Sequence, residues 1–414
     1  MIRVVATVQR SPDAAPRPAG ARLWVERLVL TNFRSYAHLS FETGPEPQVL
    51  IGANGAGKTN LLEAVSMLAP GQGLRRAAYI DLARAAGDGS WSVSAHAHAR
   101  PGPVDIGTGL LAANGPGERE TRVVAERAGR IVRINGAPAG GTSALGDYLD
   151  LAWVTPAMDG LFTGPAAERR RFLDRLIATF DAGYRTRANR FERAMQQRNR
   201  LLGDGVRDSA RFEGLELLMA ETGTAIAAAR AEAVAALASI MAERSQRDPG
   251  SPFPAAGLAL EGLLESDLER MPAVDVEEAY AAVLRDNRER DRAAGRTLDG
   301  PHRSDLLVFH APKQVQARLA SSGEQKALLL GLVLAHAELV ARRHDGVAPI
   351  LLLDEVTAHL DEARRAALFA EILRLGTQAW MTGTDPETFS ALRENARFWR
   401  VEDGAVSGLV AASG

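Results

Sequence analysis

The segment "GANGAGKT", Gly52 to Thr59, fits the pattern G-x-x-x-x-G-K-[ST] between a strand-like run and a helical one. Glycine permits the backbone turns that aim successive N–H groups at an anion. The start of the next helix adds the positive end of its dipole. Gly52, Ala53, Asn54, Gly55, Ala56 and Gly57 are therefore expected to cradle nucleotide phosphates, with Lys58, Thr59 and Asn60 completing the site. Lys58 would reach the β- and γ-phosphates, and the Thr59 hydroxyl would ligate Mg²⁺.

A second segment, "PILLLDEVTAHLD", supplies acids. Five apolar residues, Pro349 to Leu353, read as a buried parallel strand. It delivers Asp354 and Glu355 to the carboxyl edge of a sheet, where ligands bind in open α/β folds. Asp354 is expected to hold Mg²⁺ and Glu355 to act as the base for the attacking water. The third segment is "SSGEQK", Ser321 to Lys326, at the start of an apolar helical run. It allows two overlapping capping boxes, Ser322 with Gln325 and Ser321 with Glu324. A cap explains the residue types at a helix start. It does not explain why this start lies 32 positions before Asp354.

The elements that must position these groups alternate in character. "WVERLVLTNF", "PQVLIGANG", "WSVSAHAHA", "TRVVAERAGRIVRING" and "LDLAWVTP" read as strands, with an Asn135-Gly136 hairpin turn. Helical patterns dominate from Pro165 to about Arg296, broken by "DPGSPFPAAG". Strand and helix texture then returns. The reading is an α/β fold with a P-loop sheet over residues 24–164 and 297–414, interrupted by a mainly α-helical insert over 165–296. Residues 1–23 read as a loose tail rich in Pro, Ala and Gly.

Composition bounds the rest. A net charge of −2 excludes a uniformly basic nucleic-acid binder, so any such surface is local. Residues 165–211 hold 12 arginines against 6 acids, and 213–299 hold 9 against 17. Arg169, Arg170, Arg171, Arg187, Arg190 and Arg198 in the basic half are the candidate DNA contacts. With no cysteine there is no disulfide, thiolate metal site or thiol nucleophile. No signal peptide and no membrane span are expected, and the expected location is the cytoplasm.

The order of the three segments resembles the ABC-type ATPases. In that family a Ser-Gly signature at a helix start binds the γ-phosphate of ATP held by the other subunit. The resemblance carries that role onto Ser322, Gly323 and Gln325. Ser321 stands where Leu is usual, and Glu324 replaces the second Gly. Asp361 sits at the D-loop position, Thr382 or Thr384 at the switch position, and Arg34 where SMC-like ATPases contact the nucleotide.

From Trp24 onward the whole chain resembles the RecF family of bacterial DNA-repair ATPases. The carriers are "LTNFRSY", "GANGAGKTNLLEA", "RRRFLDRLI", "QQRNRLL", "GPHRSDLLVF", "SSGEQK" and "LLLDEVTAHLD". Ser304 replaces the usual Asp of the fifth. The resemblance implies a homodimer formed around ATP and Mg²⁺ that binds double-stranded DNA near gaps or junctions. With RecR and RecO it would help load the RecA recombinase, and slow hydrolysis would release it. Two other readings stay open from the residues alone: a nucleotide-gated protein that binds other proteins and no DNA, and an enzyme acting covalently on DNA, for which no metal cluster is visible.

Overall fold

The computed structural model describes residues 22–112, 129–358 and 360–409. Before the insert come β1 (Trp24–Phe33), β2 (Tyr36–Glu42), β3 (Gln48–Ile51) and α1 (Lys58–Ser66). They are followed by β4 (Trp91–Ala99), β5 (Gly102–Leu110), β6 (Ile131–Ile134), β7 (Ala137–Pro138) and β8 (Leu151–Val154). The insert holds α2 (Ala166–Ile177), α3 (Tyr184–Gly203), α4 (Ala210–Arg247), β9 (Ala256–Glu261), α5 (Leu263–Leu268), α6 (Ala273–Asp286) and α7 (Arg288–Ala294). Then come β10 (Asp305–His310), β11 (Val315–Gln316), α8 (Ser322–Arg343), β12 (Ile350–Leu353), α9 (Glu362–Leu375), β13 (Ala379–Gly383), β14 (Arg397–Glu402) and β15 (Ala405–Gly408).

Two six-stranded sheets build the α/β part. The order β15-β14-β3-β13-β12-β8 is parallel except for the β14–β15 hairpin. Strands β3, β8, β12 and β13 are buried along their length, as expected of a parallel sheet covered on both faces. Their carboxyl ends gather the segments read from the sequence. The second sheet, β2-β1-β4-β5-β6-β7, is antiparallel and covers one face through a core of Leu28, Leu30, Val93, Leu61 and Trp380. The Asn135-Gly136 turn closes β6 onto β7 with positive φ at both residues. Part of the strand-like run "TRVVAERAGRIVRING" lies outside the described residues.

A three-stranded sheet, β11-β10-β9, crosses position 296. Strand β9 pairs antiparallel with β10, from Asp305 opposite Glu261 to His310 opposite Ala256. A divide at 296 therefore parts two strands of one sheet. The insert was read as helix because β9 is only six residues long and lies between long helices.

Helix α8 is buried continuously from Gln325 to Val340. A helix apolar on all sides belongs in a core, and this one packs between β8 and α4. Helix α4, 38 residues long, has a stretch apolar and long enough to cross a membrane by composition. Met219, Ile226, Ala227 and Leu237 instead place it in the protein core against α3, α6 and α8.

Candidate functional site

The loop after β3 is shaped by close approaches. A side chain at Gly52 would sit 2.3 Å from the Val401 carbonyl oxygen. Gly57 has φ 105°, and a β-carbon there would lie 2.8 Å from the Tyr36 hydroxyl. Lys58 opens α1 and turns back over this loop. Its Nζ donates to the carbonyls of Gly52 at 2.7 Å and Ala53 at 2.8 Å. Burial lowers its pKa, while the charges of Glu355 and Asp354 act the other way. A buried ammonium whose hydrogen bonds among the described residues go to neutral carbonyls fits a site made for an anion.

Thr59 and Asp354 are 295 positions apart, yet the Thr59 hydroxyl donates to Asp354 Oδ1 at 2.9 Å. The Thr382 hydroxyl donates to the same oxygen at 2.8 Å and accepts from the Glu355 backbone N–H at 2.7 Å. Thr382 is fully buried and holds the two acids in register. Thr384 is exposed beyond the end of β13. A hydroxyl beside a carboxylate is a hard oxygen pair, the donor set Mg²⁺ takes together with phosphate. Glu355 is exposed with φ 48°, and its carbonyl accepts from Lys326 Nζ of α8 at 3.3 Å.

At the start of α8 the structure selects between the two capping boxes. Ser321 is the cap: its hydroxyl accepts from the Glu324 N–H, and its own N–H donates to Glu324 Oε2 at 3.0 Å. Lys313 and the Ser321 groups hold the Glu324 carboxyl down at about 2. Gln325 donates to the Ala320 carbonyl at 2.9 Å. The Ser322–Gln325 box is thus not the one formed. Ser322 is exposed, and its hydroxyl makes no hydrogen bond among the described residues. Gly323 follows it, half-buried.

Arg34, with φ 52°, donates from Nε and Nη2 to the buried Glu63 of α1 at 2.8 and 2.9 Å, and from Nη1 to the Asp81 carbonyl. It stands beside the phosphate loop with its guanidinium already bidentate. Asn60 bridges Ser35 and Arg75. Asp361 caps α9 by accepting from the Arg364 N–H at 2.8 Å. His302 is half-buried against the Thr297 carbonyl, which fits a packing role for "GPHR".

One of the DNA candidates needs correction. Arg198 has 0% side-chain exposure and pairs with Glu216 at 3.0 Å and Asp291 at 2.7 Å. No phosphate can reach it in the folded chain. Arg169 is bidentate to Asp305 at 2.8 and 2.7 Å, and Arg170 donates to the Ser304 carbonyl at 2.5 Å. Arg187 is tied to Asp181. Arg171, beside Glu168, and Arg190, 3.7 Å from Glu221, stay about half exposed. Arg198→Ala strands Asp291 in the core, so it is expected to cost about 3–5 kcal/mol of stability. Urea unfolding checks this. A fully stable variant with weakened DNA binding would return Arg198 to the interface.

The sequence reading missed a cavity of about 950 Å³ that runs from Thr59, Asp354 and Glu355 to the insert helices. Arg75, Arg76, Arg175 and Arg185 line it. The Arg175 guanidinium lies 4.5 Å over the Trp153 ring, and burial beside Arg76 lowers its pKa to about 10. "GLRR" after α1 was the available signal, but two arginines following a glycine turn match no general motif.

A model of the RecF/RecN/SMC N terminal domain matches residues 24–407. The DNA replication and repair protein RecF of Mesorhizobium japonicum is 54% identical over 93% of this chain and 98% of its own length. The protein of the same name from Brucella suis is 51% identical over 97% of this chain and 98% of its own length. The chain belongs to the RecF family. Among solved structures, a recombination mediator RecF bound to an ATP analogue, of the RecFOR pathway, superposes with a TM-score of 0.78 at 20% identity. It covers 94% of this chain and 98% of the other. An Smc head domain from Pyrococcus furiosus gives 0.53 at 17% identity, over 94% of this chain and 96% of the other. The fold of this RecF-family chain is therefore the α/β ABC-type ATPase head.

Proposed function

We propose that this chain is an ATP-dependent DNA-binding protein of recombinational repair and replication-fork maintenance, in line with the names of its relatives. In this reading residues 24–164 and 297–414 form the ATPase head and 165–296 the arm, with β9 of the arm joined in one sheet to β10 and β11 of the head. The observation that carries the nucleotide site is the Thr59–Asp354 hydrogen bond beside the buried, anion-seeking Lys58. In this reading the loop N–H groups and Lys58 hold the ATP phosphates. Thr59 and Asp354 hold Mg²⁺, whose charge offsets that of the phosphates. Glu355 takes a proton from the attacking water. Thr384, exposed beyond β13, is the hydroxyl for the γ-phosphate, because Thr382 is spent on the two acids.

Two chains close around ATP, each offering Ser322 and Gly323 to the other's nucleotide, and Asp361 lies in the segment between them. The closed homodimer holds duplex DNA near single-strand gaps or junctions. Arg171 and Arg190, together with Arg75 and Arg76 of the cavity lining, are among the exposed cations available for phosphates. RecR and RecO are the partners in loading RecA, and slow hydrolysis is the release step. The place of action is the cytoplasm.

Glu355→Gln tests this reading. It keeps Thr59 and Asp354 and removes the base, so ATP binding persists while turnover falls about 10²–10⁴-fold. The expected result is an accumulated ATP-bound dimer that retains DNA, with affinity falling linearly in log salt. Normal turnover by this variant would remove Glu355 from the mechanism. A salt-independent or absent DNA interaction would remove DNA as the partner.

A further inference from the structure

The outer face of the antiparallel sheet carries a cluster that the nucleotide chemistry does not use. Strand β4 alternates strictly, burying Trp91, Val93, Ala95, Ala97 and Ala99, so His96 and His98 share the opposite face. In the neighbouring β1, Val25 pairs with Ala97 and Arg27 with His96, and the extra residue between them is Glu26. Such a bulge re-aims a side chain. Glu26 Oε2 lies 2.7 Å from His98 Nε2 and 3.9 Å from His96 Nε2. One ligand atom from each of the three residues falls within 4.8 Å of the others.

Both rings are also held from behind. His96 Nδ1 lies 2.8 Å from Asp105 Oδ1 on β5. The Asp105 N–H in turn donates to Asn135 Oδ1 at 2.9 Å. His98 stacks on Trp24 with ring centroids 4.3 Å apart and planes inclined by 6°.

We propose that Glu26, His96 and His98 bind a divalent transition-metal ion of the zinc type, with a fourth position open to water. Imidazole nitrogens suit zinc, nickel and copper, and a single carboxylate completes a common three-ligand set. Asp105 accepts a hydrogen bond from the Nδ1–H of His96 and so leaves its Nε2 lone pair facing Glu26, the carboxylate–histidine arrangement that orients metal ligands. Bonds of about 2.0–2.1 Å in a tetrahedron put ligand atoms roughly 3.3 Å apart. The observed 2.7 and 3.9 Å bracket that spacing. All three side chains are partly exposed, at 34%, 34% and 44%, so an ion reaches them without opening the sheet. The chain has no cysteine to compete for it. The Thr59–Asp354 pair offers oxygen only, so the two sites select different ions by donor type. A bound ion would tie β1 to β4 across the sheet.

The test is calorimetric titration of the untagged full-length protein with Zn²⁺ in excess Mg²⁺. One equivalent is expected to bind and to raise the unfolding temperature. His96→Ala/His98→Ala abolishes both effects while leaving zinc-free ATP turnover unchanged. Glu26→Gln removes a ligand and lowers the Zn²⁺ affinity, and Asp105→Ala weakens binding about 10–100-fold. Absence of Zn²⁺ binding by the wild type, or the same equivalent in a folded double variant, overturns the site. Unchanged affinity in Glu26→Gln overturns the three-ligand set.

Discussion

Lys58→Ala is expected to lose ATP binding by about two to four orders of magnitude. The side chain is 5% exposed, and its ammonium rests on the Gly52 and Ala53 carbonyls. Those carbonyls satisfy its hydrogen bonds but not its charge. Phosphate oxygens supply both, and each hydrogen bond to a charged group is worth about 1.5–3 kcal/mol. Two such bonds give about 3–6 kcal/mol, and each 1.36 kcal/mol is tenfold. Lys58→Arg is expected to fail almost as badly. A planar fork does not fit where a point charge sits between two carbonyls 2.7 and 2.8 Å away. Titration with ATP checks both variants, with the unfolding temperature as the control for folding. Wild-type affinity in Lys58→Ala would remove the loop from nucleotide binding altogether.

How much of this was legible beforehand differs between the parts of the site. The phosphate loop and the acid strand announce themselves because their function is local: glycines for turns, a lysine, an apolar run ending in acids. The alternation of β4 was equally plain, since one face of that sheet is buried. The pairing of β9 with β10 was not, because a six-residue strand between helices leaves no period to read. Nor was the fate of Arg198. Along α3 every arginine looks alike, and only the fold brings Glu216 and Asp291 to one of them. The capping register was a near tie in the sequence. It was decided by Lys313, which binds Glu324 Oε1 at 2.5 Å and fixes the carboxylate that completes the Ser321 box.

That register makes the sharpest prediction. Ser321 does the capping, so Ser321→Ala is expected to cost about 0.5–2 kcal/mol of stability with ATP-driven dimerisation intact once folding is allowed for. Ser322 sits one residue on, exposed and without a hydrogen bond among the described residues. Its replacement should be nearly silent in the monomer. Ser322→Arg is therefore expected to fold and bind ATP normally, yet form no ATP-induced dimer and lose turnover with it. A bulky side chain there would stand where a second chain's γ-phosphate must approach. Light scattering with and without ATP reads the dimer. Mixing gives a second, independent reading. Homodimers of Lys58→Ala and of Ser322→Arg each have two spoiled composite sites. In their heterodimer one site carries both lesions and the other carries neither. ATP turnover recovered on mixing two separately inactive proteins means the site is shared between chains. If Ser322→Arg dimerises with ATP and turns over at the wild-type rate, the two-chain site is wrong and the start of α8 is a cap alone.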